Sequence, residues 1–527
     1  MARKPSHEEI MKRDTKRLHE LGYKQELARS MSGFTNFAIS FTIISVLAGT
    51  LTLFGFGLNV AGPSAMAYGW PIVSVFAILV AASMAEISSA YPTAGGLYYW
   101  ACKLGGTGWG WFTAWFNLIG QIAVTAGIDY GLAMFVDALL NQYIPAIPAD
   151  GQAGSIATLV IFALILMLQA YINARGINLV SSLNNISAWW HIGGVILIVG
   201  ALLFFAPHHE NPINFMYNTQ FTASGFPYWY GFLLGLLVAS YTFTGFDASA
   251  HVSEETAGAE LSAPRGILMS VVVSAIAGYL LIIGLLVAMP GLQDTLGSTN
   301  PVLFILNTRL GSTVGTLMFL IAIVAQFFCG TASVTSNSRM IFAFARDDGM
   351  PGSKLLYKLN ERHVPLNALY LSITAAFVLT LPALFSTVVY SAVTSIAVIG
   401  LYIAYVIPVF LRNIHKERFE AGPWNLGSWS SLIGWLSILW TVFASILFIM
   451  PVSFPITLSN FNFTGVVLLV VWALLIPWYM VSVRHWFKGP KSAFDDAKDL
   501  DAIEPEEIDL NLPQRAPQKQ VVNNFVD

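Results

Sequence analysis

The chain has 527 residues, of which 56% are hydrophobic and only 10% charged, with a formal net charge of -3. Soluble domains carry about 25% charged residues, so this chain cannot clothe a water-facing surface, and lipid must solvate most of it. Its 15 Trp and 36 Phe exclude disorder except at the ends. Two cysteines, Cys102 and Cys329, exclude a disulfide scaffold or a four-cysteine metal site.

A membrane-spanning helix needs about 20 mainly apolar residues. In chain order the sequence offers twelve such segments: 34–58, 70–90, 109–139, 155–173, 178–205, 228–254, 266–289, 312–338, 367–386, 388–411, 429–451 and 462–482. The runs are too long and continuous for the alternating strands of a β-barrel. Residues 1–32 are charged and lead into a full span, so they read as a tail and not as a cleaved signal. The expected fold class is all-α integral membrane, with twelve transmembrane helices.

Charge placement sets the orientation. Of the 26 Lys and Arg, 25 fall on one side, eight of them within residues 3–29, leaving Arg309 alone on the other. The positive-inside rule then puts both termini in the cytoplasm. The acidic stretch 495–509 (DDAKDLDAIEPEEID) and the basic amino-terminal stretch read as solvated tails, the latter able to touch anionic lipid.

Two segments carry small and polar residues at mid-depth. Segment 1 holds Thr42, Ser45, Ala48, Gly49 and Thr50, and segment 6 holds the run SYTFTGFD from Ser240 to Asp247 (Ser240-Tyr241-Thr242-Phe243-Thr244-Gly245-Phe246-Asp247). Glycine lets backbone leave helical geometry and frees its N–H and C=O groups. Paired interruptions at corresponding places in two halves point to a secondary transporter site near the midplane. They correspond if residues 33–205 (helices 1–5) and 226–411 (helices 6–10) are inverted repeats, followed by 412–482 (helices 11 and 12) and a tail, 483–527. For Gly55, Gly57, Gly231 and Gly235, close helix packing is the simpler reading.

Three stretches carry a family resemblance: GFDASAHVSEETAGAELSAPRGI (Gly245–Ile267), AEISSAYPTAGGLYYWACKLGG (Ala85–Gly106) and SNSRMIFAFARDDGMP (Ser336–Pro351). Over about residues 25 to 485 the chain resembles the amino acid–polyamine–organocation (APC) superfamily, and within it the amino acid/choline transporter family that includes GABA permeases. The resemblance implies a LeuT-like 5+5 inverted repeat plus two C-terminal helices, and alternating-access transport of GABA or a related amino acid across the plasma membrane. Choline, polyamine or ethanolamine transport and amino acid exchange are the alternatives; a non-transporting amino acid receptor is a remote one. It further implies a substrate carboxylate on free N–H groups of a broken helix 1 and an amine facing carbonyls of a broken helix 6. The helix 1 run here, ISVLAGT, lacks the usual Gly-Ser/Thr-Gly. Ser45, Ala48, Gly49 and Thr50 are expected to form the break, with an alignment one turn earlier, on Thr42–Ser45, as the alternative. Tyr241, Phe243, Thr244, Gly245 and Asp247 are expected on the helix 6 side, with Tyr241 or Phe243 closing over the substrate or else packing in the core.

An ionisable residue at mid-membrane costs about 2.5–3.5 kcal/mol on insertion scales and marks function by default. A lysine occupies the position of His191 in proton-coupled relatives. His191 is therefore expected to carry a coupling proton, facing Thr331, Ser333 and Thr335; a neutral histidine bonded to a helix carbonyl is the other reading. Asp247 either attracts the substrate ammonium or caps a half-helix. Asp129 either lines an outer vestibule that selects cations or pairs with a polar neighbour. Glu254 and Glu255 sit at the cytoplasmic end of helix 6, and the family resemblance implies inner-gate ion pairs there with Arg265, Arg339 and Arg346. H-E-x-x-H, P-loop and G-x-S-x-G motifs are all missing, so an enzyme is not expected. No cofactor, metal or nucleic acid is expected either; the partners are an amino acid or amine, a proton in preference to sodium, and membrane lipid.

Overall fold

The structure is a computed structural model that describes residues 6–144, 146–148, 151–385, 388–457 and 460–491. The acidic stretch 495–509 lies outside the described residues. Helix α1 (His7–Glu20) starts on a capping box: the Ser6 hydroxyl accepts from the Glu9 N–H while the Glu9 carboxylate accepts from the Ser6 N–H. Then come α2 (Gly33–Ile44), α3 (Gly49–Thr52) and α4 (Phe54–Ala90), which together make the first two spans. Gly62, at φ 75°, turns the chain within α4 directly before Pro63. The second span therefore begins well before the expected residue 70, because a left-handed glycine followed by a proline suits a new helix start.

Next come α5 (Leu97–Gly105), α6 (Thr107–Tyr143), α7 (Gly151–Ala174), α8 (Ile177–Phe204) and α9 (Pro212–Asn218). The sixth span is broken into α10 (Tyr228–Gly235), α11 (Leu237–Thr242) and α12 (Ala248–His251), with a 3-10 turn over Ser253–Glu255. The remaining helices are α13 (Ala259–Ala288), α14 (Leu292–Leu296), α15 (Pro301–Leu310), α16 (Ser312–Arg346), α17 (Ser353–Leu356), α18 (Leu366–Thr380), α19 (Val389–Ile414), α20 (Ser430–Leu447) and α21 (Thr464–Trp478). Among the described residues, eleven helical stretches are long and apolar enough to cross a membrane. The segment expected at 228–254 is not one of them because of its breaks, and it completes the twelve.

The bundle is layered. Helices α2, α6 and α19 and the broken sixth span lie inside, whereas α20 and α21 turn Leu439, Val442, Leu469 and Leu474 outward. Small residues let the inner helices touch: a Cβ on Gly400 of α19 would sit 2.8 Å from the Gly120 Cα of α6.

The amino-terminal stretch departs from the expected solvated tail. Leu18, Tyr23, Leu27 and Met31 are buried, and the Met31 N–H donates to the Glu255 carbonyl at 2.8 Å while its carbonyl accepts from Ala257 N–H. Composition hid this docking because most of the charged residues face out around a few apolar anchors and the buried pair Asp14 and Arg29. The Tyr23 hydroxyl donates to Asp347 Oδ2 and the Lys491 N–H to Asp347 Oδ1, so both ends of the described chain lie on one face. At the opposite end of α13, Arg309 donates to the carbonyls of Ala288 and Met289, an arginine cap on orphan helix carbonyls.

Candidate functional site

Helix α2 stops at Ile44 because Ser45 adopts φ 20°, ψ 91°, a conformation that costs a serine of order 1–3 kcal/mol. Helix resumes at Gly49. Between them the buried N–H groups of Val46 and Leu47 make no hydrogen bond among the described residues. The helix 1 break is thus Ser45 to Ala48, with Gly49 and Thr50 already in the next helical turn.

The helix 6 break lies against it. A Cβ on Gly49 would fall 2.7 Å from Thr242 Oγ1 and 2.9 Å from the Thr242 Cα, and one on Gly245 only 2.2 Å from Ile43 Cγ2. Gly245 also needs its φ of 88°, which a side chain would resist. The Thr50 and Thr242 hydroxyls are 3.4 Å apart. Within the break, Thr244 Oγ1 donates to the Tyr241 carbonyl. The carbonyls of Thr242 and Thr244 accept nothing from the described residues, and the amides of Thr244, Phe246 and Asp247 are also unpartnered. Buried backbone groups are nearly always satisfied, and this concentration of free donors and acceptors at two touching breaks is chemically able to receive an anionic group and a cationic one.

Other side chains brace helix 6. Tyr405 of α19 accepts from the Gly245 N–H at 3.0 Å and donates to Asp247 Oδ1 at 2.8 Å. Tyr402 donates to the Ser240 carbonyl and Ser40 of α2 to the Phe246 carbonyl. Asp247 Oδ2 accepts from Gln121 Nε2 at 2.8 Å and Asn117 Nδ2 at 3.1 Å, and lies 3.1 Å from His251 Nε2. Asp247 therefore makes no cap bond to α12, and its oxygens are already engaged by neighbouring side chains instead of standing open to a substrate ammonium. Phe243 is fully buried against Trp70, with ring centroids 4.9 Å apart, and packs the end of α11 on α4. Tyr241 reaches α6, its hydroxyl 2.5 Å from where a Gly127 Cβ would be.

His191 is joined to the helix 1 break. Its Nδ1 lies 2.8 Å from the Ser187 carbonyl, an acceptor only, so Nδ1 carries a hydrogen; Nε2 lies 2.7 Å from the Ser45 hydroxyl, which donates to it when the ring is neutral. Thr331, Ser333 and Thr335 do not face this ring: Thr335 donates to Asn173, Thr331 to the Phe327 carbonyl, and Ser333 meets Thr125. Asp129 lines no open vestibule. It is fully buried, accepts from Gln169 Nε2 at 2.7 Å, and abuts Gly330.

The gate pairs form, with one exception. Arg346 clasps Glu254 through two nitrogens at 3.0 and 3.2 Å, and Arg339 holds Glu255 at 3.3 Å. Arg265 is exposed on α13 and joins neither pair among the described residues. Arg29 lies nearby without joining either pair: it donates to the Thr256 carbonyl and lies 3.6 Å from Asp14. Burial pushes the Asp14 carboxyl above the usual range, against the pull of the Gly258 N–H and Arg29. The sequence reading missed Asp14, Arg29, Asn117, Gln121, His251 and Tyr405. Only the four-residue spacing of Asp247 and His251 on one helix signalled a contact.

The amino acid permease family pattern matches residues 31–473. The chain is 41% identical over 495 residues to amino-acid permease BAT1 of Arabidopsis thaliana, covering 90% of this chain and 96% of that one. It is 40% identical over 497 residues to the BAT1 homolog of Oryza sativa subsp. japonica, covering 91% and 96%. It is 29% identical over 523 residues to the GABA-specific permease of Saccharomyces cerevisiae, covering 96% and 90%. A multi-pass helical protein with two touching broken helices, this chain belongs to the amino acid permease family of the APC superfamily.

Proposed function

We propose that the protein is a secondary active permease for GABA or a related amino acid in the plasma membrane, coupled to protons and working by alternating access. Residues 33–205 and 226–411 act as its two inverted repeats, 412–482 as an added helix pair, and both termini are cytoplasmic, as the one-sided Lys and Arg distribution favours.

The observation that carries this reading is the contact between the two breaks, with unpartnered amides at Val46 and Leu47 and unpartnered carbonyls at Thr242 and Thr244. Amides receive a carboxylate, and carbonyls receive an ammonium. No lysine or arginine is needed in the site. The closed ion pairs at Glu254 and Glu255 shut the cytoplasmic side, leaving the substrate to enter from the other face. The yeast relative's printed GABA specificity supports an amino acid whose two charged ends are well separated.

Proteoliposomes given labelled GABA test it. Accumulation driven by an inward proton gradient is expected; binding without accumulation, or accumulation indifferent to the gradient, contradicts the transport or the coupling respectively.

A further inference from the structure

His251 and Asp247 are both buried, 1% and 0% exposed, between the breaks and the gate. His251 Nδ1 lies 3.2 Å from the Ala94 carbonyl oxygen and Nε2 lies 3.1 Å from Asp247 Oδ2. Both neighbours are acceptors, yet a neutral imidazole has only one N–H. Satisfying both contacts takes one more proton, held either on the ring as an imidazolium against the carboxylate or on Asp247 as an acid donating to Nε2. The pair is then neutral overall, which suits a dry setting.

We propose that the Asp247–His251 pair, and not His191, holds the coupling proton, binding it while the cytoplasmic gate is closed and releasing it to the cytoplasm when the gate opens. This rests on the proton-coupled reading above.

The surroundings supply the linkage. Ala94 sits in the turn between α4 and α5 and uses both backbone groups: its carbonyl faces His251, and its N–H donates to Glu254 Oε1 at 3.0 Å. Glu254 is the residue clasped by Arg346. Gly96, in the same turn at φ 46°, lies against the ring, since a Cβ there would be 3.4 Å from Cε1 and Nδ1. Opening this gate withdraws the acceptor from Nδ1 and admits water, so the additional proton loses its reason to stay. On the other side Asp247 is tied through Tyr405 to the Gly245 N–H, so a change in the pair reaches the helix 6 break directly. Around the pair, α19 presents Tyr405 and α6 presents only the uncharged amides of Asn117 and Gln121. The Ala94 turn presents backbone, and the carboxylates next along the chain, Glu254 and Glu255, are each paired with an arginine of α16. His191, by contrast, is complete as a neutral ring, donating through Nδ1 and accepting through Nε2.

The test uses the full chain in proteoliposomes with labelled GABA. Two readings are taken: exchange against preloaded unlabelled GABA without a gradient, and net uptake under an imposed proton gradient. A gradient of about one pH unit stores about 1.4 kcal/mol per proton and supports about tenfold accumulation. His251→Gln is expected to exchange but to lose that accumulation; His191→Gln, which disturbs the Ser45 contact and so raises KM, is expected still to reach the wild-type accumulation ratio under the gradient. Gradient-driven accumulation by His251→Gln equal to the wild type overturns the pair while leaving proton coupling intact; a wild type indifferent to the gradient overturns both. A second measurement does not depend on any variant's transport. In wild-type protein at about pH 8, where unperturbed histidines are neutral, 15N NMR should show a doubly protonated imidazole. Alternatively, infrared spectra should show a protonated carboxyl band that Asp247→Asn removes. Absence of both signals overturns the proposal.

Discussion

The two broken helices solve one problem in different ways. Helix 6 leaves helical geometry after Thr242 and runs through a glycine, where φ 88° is easily held, and is braced by Tyr402 and Tyr405 of α19 and by Ser40 of α2. Helix 1 breaks at a serine held at φ 20°, tied by its side chain to His191, and its two following amides are left bare. The braced break can serve as a lever, transmitting the state of the gate. The sparsely held one is free to close on a ligand. Backbone strain persists where the surroundings over-determine it, and such strain concentrates at binding sites.

The sharpest way to break that contrast is at the foot of helix 6. Arg346→Ala strands Glu254 as an unpaired buried carboxylate, and removing one partner of a buried pair costs about 3–5 kcal/mol. A large fall in Tm and leak of preloaded substrate are expected; an unchanged Tm would mean that the pair braces nothing. Next is Gly245→Ala. It combines a left-handed residue with a methyl group 2.2 Å from Ile43 Cγ2, and the conformational penalty alone is about 1–2 kcal/mol. Uptake is expected to fall by more than about tenfold at equal surface expression. Smaller effects separate the two breaks. Tyr405→Phe removes two hydrogen bonds from the brace, at about 1 kcal/mol or more each, and should lower Tm. Ser45→Ala removes one bond at the strained break, about 1 kcal/mol, and should raise KM roughly fivefold with little change in Tm. If Ser45→Ala lowers Tm as much as Tyr405→Phe, the contrast between braced and open breaks fails.

Much of this was legible in the sequence, for identifiable reasons. Spans are written in long apolar runs, and the helix 6 break in a polar run ending at Gly245 and Asp247. The helix 1 break was expected across Ser45 to Thr50 and lies at Ser45 to Ala48; the bare backbone amides of Val46 and Leu47 could not be read, because their side chains look like ordinary span. The ion pairs of Glu254 and Glu255 were expected from the family arrangement with Arg265, Arg339 and Arg346; Arg339 and Arg346 make them and Arg265 is exposed instead, while Arg29 arrives from a docked amino-terminal strap that composition disguised as tail. Asp129 and Asp247 were recognised as buried carboxylates, yet their partners Gln169, Asn117, Gln121 and Tyr405 come from other helices, and nothing local announces such contacts.

The central claim is that backbone amides at the breaks read the substrate's carboxylate. Competition of labelled GABA uptake by 4-aminobutanamide and by butylamine tests it most directly, since both keep the amine and lose the anion. Charge-assisted hydrogen bonds contribute about 1.5–3 kcal/mol each, so the loss of two predicts competition weaker than that of unlabelled GABA by roughly a hundredfold or more. Butylamine competing as well as GABA would contradict the account.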